Sequence, residues 1–316
     1  LAVGAKGDDD GADGAGAVWI LFMAPNGSVN RDSKISNLDG NFTDTLAADD
    51  AFGSSVANAG DLDGDGVQDL VVGAEGDGTG SIYILFMASN GTVNRASKIA
   101  SAEGNFTGDL ADTDQFGISV AGLGDLDRDG VNDIAVGADQ DDDDDGGSPT
   151  SNNGAVWILF MASNGSVNRQ TKISDIEVNF TGTLDNNDLF GSSITSIPDL
   201  DKDGNRDLLV GAELDDDGGP ISNGAVWILY MASNGSVNRN AKISDTEGNF
   251  TGKISSFGAD QHGSSVASFN DLDGDGINDL IMGTQGFDDG SAGQGAVWVL
   301  FMGANGSVNS HQKISG

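Results

Sequence analysis

The sequence predicts an all-β chain, a β-propeller of four-stranded antiparallel blades. Three observations carry that prediction. One unit recurs five times, its V-G-A string (M-G-T in the last copy) ending at Ala5, Ala74, Ala138, Ala212 and Thr284, a spacing of 64 to 74 residues. Each unit divides into four short apolar or alternating runs, with no helical period in any of them. The 49 Gly and only 4 Pro fit many tight turns between short strands.

The elements follow in order along the unit. The opening run, FGSSVA at 52–57, predicts the first strand, and DLVVGA at 69–74 the second. The third, VWILFM at 18–23, is apolar on both faces, which predicts burial on both sides. The fourth, S-V-N-R-x-x-K-I, is more polar and predicts an outer strand. A Ser-Asn-Gly or Ala-Asn-Gly turn joins third to fourth, a strong hairpin signal. About 70 residues of four strands stacked through apolar central strands describe a propeller blade, whereas solenoid repeats are usually shorter.

The chain starts in a second strand, LAVGA, and stops after a fourth, KISG. Five copies of strands two to four are therefore expected, but four of strand one, and the first blade is incomplete. The missing strand would come from a longer parent chain or from a neighbouring molecule. A single propeller domain over 1–316 is expected, with repeats at about 1–51, 52–115, 116–189, 190–261 and 262–316.

Between strands one and two lies D-x-D-x-D-G-x-x-D, four times. The carboxylates are Asp61, Asp63, Asp65 and Asp69; Asp125, Asp127, Asp129 and Asp133; Asp199, Asp201, Asp203 and Asp207; and Asp271, Asp273, Asp275 and Asp279. Close carboxylates repel at neutral pH, so a cation should compensate them. Positions 1, 3, 5 and 9, Gly at 6, and a backbone carbonyl at 7 (Val67, Val131, Asn205, Ile277) match the first nine positions of an EF-hand loop. No helix precedes them and no Glu stands at 12, so these are not EF-hands. Ca²⁺, with its six to eight oxygen ligands, suits them better than Mg²⁺, which keeps several waters. About four Ca²⁺ per chain are expected, bringing the net charge from −36 to about −28. The competing reading is a set of plain Asp/Gly turns.

F-G-x-S, then D-x-D-x-D-G-x-x-D, L-V-V-G-A and G-A-V-W-I-L-F resemble the FG-GAP repeat of integrin α-subunit propellers, and the large FG-GAP repeat proteins of bacteria and microbial eukaryotes. The resemblance covers nearly the whole chain. It implies Ca²⁺ loops on one face and a partner-binding face opposite, made by the loops joining strands two to three and four to one. There are departures. Integrin-like propellers have seven blades, Lys6, Glu75, Asp139, Glu213 and Gln285 stand where GAP has Pro, and His262 replaces Phe in the fifth unit. The first copy has no Asp loop, and Arg-Gly-Asp is absent.

With 50 acidic and 14 basic residues, the chain excludes a phosphate-binding surface, hence a nucleic acid or anionic membrane partner. No Cys is present, so disulfides, thiolate zinc sites and thiol nucleophiles are excluded. The longest apolar run, about eight residues, is too short to cross a bilayer, and no signal peptide is visible. The two His occupy different repeat positions, and no catalytic triad is apparent, so no enzyme is expected. Asp-rich loops after strand two (8–11, 141–147, 215–219) read as solvated loops, with weak cation sites as the sharper alternative. Trp19, Trp157, Trp227 and Trp298, with Tyr83, share one place in strand three and read as core, with a sugar platform as the alternative. Nine of the fourteen basic residues fall in the outer strand and should pair with neighbouring carboxylates or blunt an edge. Sequons lie in the hairpin turns (Asn26, Asn90, Asn164, Asn234, Asn305) and before strand one (Asn41, Asn105, Asn179, Asn249), where surface glycans are expected in a eukaryote.

These readings converge on an extracellular or cell-surface structural or adhesion propeller, stabilised by calcium. It is expected to self-associate, or to bind another surface protein or a glycan, and to serve as a glycosylated subunit of an array or fibre. A lectin-like propeller is the alternative.

Overall fold

The computed structural model describes residues 1–142, 152–177, 180–217, 219, 221–252, 260–287 and 294–315. Among them are nineteen strands and no helix. The first sheet holds β1 (Ala2–Ala5), β2 (Ala17–Met23) and β3 (Val29–Ile35). The second holds β4 (Phe52–Gly60), β5 (Asp69–Ala74), β6 (Ser81–Met87) and β7 (Val93–Ile99). The third holds β8 (Ser119–Gly124), β9 (Asp133–Ala138), β10 (Ala155–Met161) and β11 (Val167–Ile173). The fourth holds β12 (Phe190–Ile197), β13 (Asp207–Ala212), β14 (Ala225–Met231) and β15 (Val237–Ile243). The fifth holds β16 (His262–Ser268), β17 (Leu280–Thr284), β18 (Ala296–Met302) and β19 (Val308–Ile314). Strands are paired in chain order within each sheet, so the expected blades are present and the first lacks strand one. The fold is an all-β propeller of antiparallel four-stranded blades.

Local chemistry explains each hairpin. In the first, Ala24 N–H donates to the Ser28 carbonyl at 2.8 Å, and Gly27 turns the chain at φ +84°. Asn26 Oδ1 accepts from the Ser28 amide at 3.1 Å and its hydroxyl at 2.8 Å. The same bonds recur at Asn90, Asn164, Asn234 and Asn305.

The chain forms two compact units, Leu1–Val136 with Ile158–Gln170, and Gly137–Trp157 with Thr171–Gly316. In the first unit the core gathers Val18, Ile35, Phe42, Phe52, Val72 and Tyr83. In the second it gathers Val226, Ile243, Phe250, Leu280, Met282 and Trp298.

The F-G-x-S motif joins one sheet to the next. Phe52 forms a parallel bridge with Gly16, and its amide donates to the Ala15 carbonyl at 3.0 Å. A Cβ on Gly16 would lie 2.1 Å from the Phe52 oxygen, and one on Gly4 would lie 1.9 Å from the Gly53 oxygen. Only glycine allows that approach. The bridge recurs as Gly80 with Phe116, Gly154 with Phe190 and Gly224 with His262. Phe42 of the N-F-T loop closes over the first such junction, with centroids 5.1 Å from Phe52 and 5.5 Å from Tyr83. Phe180 repeats this against Phe190 and Trp227, and Phe250 against His262 and Trp298.

The third strands β6, β10 and β14 are buried throughout, as their two apolar faces predict. The expectation fails at the outer sheets. β2 is half-buried along most of its length and β18 alternates, with Val297 exposed. An apolar face is covered only where a neighbouring sheet supplies the cover. Trp157, Trp227 and Trp298 are core residues, as read from the sequence, while Trp19 in β2 is half-buried.

Candidate metal centres

Each D-x-D-x-D-G-x-x-D loop connects strand one to strand two, at the end of the blade where the sheet's hydrogen bonding stops. The loop is wound around its own carboxylates. Asp61 Oδ1 accepts from the amides of Gly64 (2.9 Å) and Asp65 (3.0 Å), and its Oδ2 from Gly66 (2.9 Å). Asp65 Oδ1 accepts from Val67 N–H at 2.8 Å. Asp125, Asp199 and Asp271 receive the same amide bonds from residues five further on, at 3.0, 2.8 and 2.9 Å. The Gly at position 6 is needed because the turn runs at positive φ, +89° at Gly66 and +97° at Gly130.

The loops bring carboxylates together. Oxygens of Asp61, Asp63 and Asp69 lie within 4.8 Å of one another, as do those of Asp125, Asp127 and Asp133, and those of Asp271, Asp273 and Asp279. In the third loop the close set is Asp199, Asp201 and Asp203, with Asp207 outside it. Asp65, Asp129 and Asp275 lie outside the other three sets. At Val67, Val131, Asn205 and Ile277 the amide is engaged, donating to the Asp at position 5 at 2.8 Å. The donor set is all oxygen, which suits a hard divalent cation.

The Asp at position 9 has a second task that the sequence reading missed. Asp69, Asp133, Asp207 and Asp279 are buried. Asp133 accepts from Leu126 N–H at 2.9 Å with one oxygen and from Met161 N–H at 3.1 Å with the other, tying the loop to the end of strand three. Asp69, Asp207 and Asp279 do the same with Met87, Met231 and Met302. Burial pushes Asp133 and Asp207 up to about 6, against the pull of those amides.

Comparison with known proteins adds to this geometry. The FG-GAP repeat family matches residues 52–85, 116–159, 190–229 and 262–300, each spanning strands one to three with the Asp loop between the first two. The chain is an FG-GAP repeat β-propeller protein. It is 30% identical over 240 residues to integrin alpha-5 of Xenopus laevis, covering 76% of this chain and 20% of that protein. To integrin alpha-6 of Gallus gallus it is 43% identical over 91 residues, 29% of this chain and 8% of the relative. To integrin alpha-3 of Cricetulus griseus it is 32% identical over 203 residues, 62% and 17% of the two chains. The chain thus spans a fifth or less of these relatives. A solved structure of a protein of unknown function from Bacteroides caccae covers 94% of this chain and 93% of its own at 12% identity and a TM-score of 0.33, too weak a likeness to build on.

The FG-GAP blades carry a second acidic feature, which corrects the reading of the loops after strand two as merely solvated. Residues 143–147 and 218 of those loops lie outside the described residues, but the leading carboxylates are clear. Asp141 and Asp215 are each 3% exposed. Each meets a strand-four lysine at 2.7 Å, Lys172 and Lys242, and Lys34 reaches Asp8 at 2.7 Å. Lys98 pairs with Asp77 at 2.6 Å. Buried charges must be paired, and here the outer-strand lysines supply the partner. The arginines of the same strand stack on the blade's own strand-three aromatic, with guanidinium carbons 3.2–3.5 Å from the centroids of Phe22, Phe86, Phe160 and Tyr230. Arg31 and Arg95 also donate to the next blade's turn, at the Asn90 and Asn164 carbonyls.

A further buried Asp recurs two residues before the Phe or His of F-G or H-G: Asp50, Asp114, Asp188 and Asp260. Asp50, Asp114 and Asp188 each accept the amide three residues upstream at 2.6–2.8 Å, and each of the four precedes a residue at φ 55–58°. Recurrence at one repeat position was the signal available for them. Eight sequon asparagines are exposed, and Asn179 lies outside the described residues.

Proposed function

We propose that this FG-GAP propeller is a calcium-stabilised structural or adhesion module of the extracellular space or cell surface, with no enzymatic activity of its own. The observation that carries the reading is the fourfold recurrence of one all-oxygen carboxylate cluster at one place in the blade. Positions 1, 3, 5 and 9 and the carbonyl at 7 would hold Ca²⁺, about four per chain. The ion would neutralise three converging carboxylates and rigidify a loop whose last Asp is already anchored to strand three. Millimolar external calcium fills sites of only moderate affinity, whereas cytosolic calcium would not. Similarity to integrin α subunits supports an adhesive role, in which the chain binds other surface proteins or further copies of itself within an array or fibre. The exposed sequons would carry glycans on that surface. The lectin-like alternative has little to stack a sugar on, since Tyr83, Trp157, Trp227 and Trp298 are buried.

Calorimetric titration of the chelator-stripped chain tests the calcium reading. Ca²⁺ should bind at about four sites, and Mg²⁺ much more weakly. Equal, weak heats for both ions would reduce the loops to ordinary turns.

A further inference from the structure

Two of the Asp loops are nearly the same sequence, DLDGDGVQD at 61–69 and DLDGDGIND at 271–279, but they stand beside different strand-four residues. The ladder sets Arg95 opposite Phe86 in the second blade and Ser310 opposite Phe301 in the fifth. The Arg95 guanidinium carbon lies 3.2 Å from the centroid of the Phe86 ring. One of its nitrogens donates to the Asn164 carbonyl at 2.7 Å, and the other stands 3.6 Å from Asp63 Oδ2. The third blade repeats the arrangement, with Arg169 stacked on Phe160 at 3.3 Å and donating to Asp127 Oδ2 at 3.2 Å. Asp63 and Asp127 hold position 3 of their loops and belong to the converging carboxylates. Their Oδ1 atoms each accept the amide two residues on, at 3.3 Å. The arginine therefore meets the oxygen that the loop's own backbone leaves over. In the fourth blade Arg239 keeps its stack on Tyr230, but among the described residues it forms no ion pair with Asp201. In the fifth, Asp273 Oδ1 accepts the Asp275 amide at 3.2 Å, and among the described residues Asp273 has no cationic partner.

We propose that the strand-four arginine sets the calcium affinity of its blade's loop, holding the position-3 carboxylate while the loop is empty and opposing the ion once it enters. This deepens the calcium reading proposed above and rests on it. As a contribution to stability the pair is small, since Arg95 is 42% and Asp63 27% exposed and exposed ion pairs are worth little. Its effect falls on the loop instead. A divalent cation drawn to Asp63 approaches a guanidinium of like sign. That guanidinium is not free to swing aside, because the Phe86 ring and the Asn164 carbonyl hold it. Repulsion across such a gap, in water and at physiological salt, lowers affinity roughly three- to tenfold. Ser310 brings no such charge, so the loop at 271–279 fills at lower calcium than the loop at 61–69. The other two loops carry basic residues of their own, Arg128, Lys202 and Arg206, so this pair isolates the strand-four position. One repeated loop is thus tuned into calcium sites of graded affinity by a residue that is not itself a ligand.

Native mass spectrometry of the whole chain, counting bound ions as free calcium is raised in buffered steps, tests the assignment. Arg95→Met, whose side chain still covers Phe86, should bring one further ion down to roughly three- to tenfold lower calcium. Ser310→Arg, at an exposed position where four sister blades carry arginine, should move one ion up by the same factor. Arg95→Lys keeps the charge and should match the unaltered chain. Both shifts should shrink at high ammonium acetate, because salt screens the repulsion. Melts in EGTA check that each variant is folded. Calcium uptake unchanged in both Arg95→Met and Ser310→Arg would overturn the arginine's role and leave the calcium reading standing. Arg95→Lys behaving as Arg95→Met would also overturn it, since the arginine would then act by packing alone. No calcium uptake in any variant would strike the calcium reading itself, and the arginine's role with it.

Discussion

At the scale of residues, the fifth blade departs from its sisters by a matched exchange. Phe52 pairs across the ladder with Ala74 and Phe190 with Ala212, but His262 pairs with Thr284. The imidazole Nδ1 lies 3.0 Å from Thr284 Oγ1, and its Nε2 is buried without a hydrogen-bond partner. Burial holds this histidine down at about 4. The unfolded chain therefore binds a proton between about pH 6.5 and 4 that the native state refuses, so stability falls as pH drops through that window. His262→Phe should remove this component of acid lability, read from urea melts at pH 7 and pH 5. Either single change, His262→Phe or Thr284→Ala, alters one partner of a buried pair, so the double variant should be more stable than the sum of the singles implies, by about 1 kcal/mol. Additive singles would mean the pair does not interact. The Asp loops allow a second residue-level separation. Asp133→Ala strips the acceptor from two buried amides and should cost about 2–4 kcal/mol even in EGTA. Asp129→Asn keeps an acceptor for Val131 N–H, so it should leave the EGTA melt unchanged and weaken calcium binding roughly tenfold.

At the scale of elements, strand four is held to its blade by charge as much as by the ladder. Lys242 lies over the Trp227 face and between Asp215 and Asp217, with only 7% of its side chain exposed. Lys242→Met would leave Asp215 buried without its cation and should destabilise the chain by about 3–5 kcal/mol, measured by denaturant unfolding. Lys6→Met, at a pair whose lysine is 61% exposed, should change stability by less than about 0.5 kcal/mol. Strand boundaries were legible because each element carries its own pattern: DLVVGA became β5 without a shift, and FGSSVA extended only to Gly60 as β4. The lysine–aspartate contacts were not legible in detail. A run such as DDDG looks solvated in one dimension, and only the fold brings the strand-four lysine, 26 to 31 residues away in three of the blades, against its leading carboxylate.

At the scale of the molecule, the repeat made the propeller readable, because a unit whose central strand is apolar on both faces must be stacked to be buried. What the repeat could not show was unequal burial among copies. Val297 and Val226 look alike in sequence, and only the neighbouring sheet decides that one is exposed and the other buried. The carboxylate spacing likewise foretold converging loops but not the anchoring of position 9 to strand three, because that bond crosses 18 to 28 residues of chain. The central proposal is that the four Asp loops, which hold sixteen of the 50 acidic residues, bind calcium. The most direct measurement is bound calcium counted by native mass spectrometry, paired with a thermal melt in calcium and in excess EGTA. The account predicts about four Ca²⁺ per chain and a large fall in melting temperature on chelation. No bound calcium and superimposable melts would contradict it.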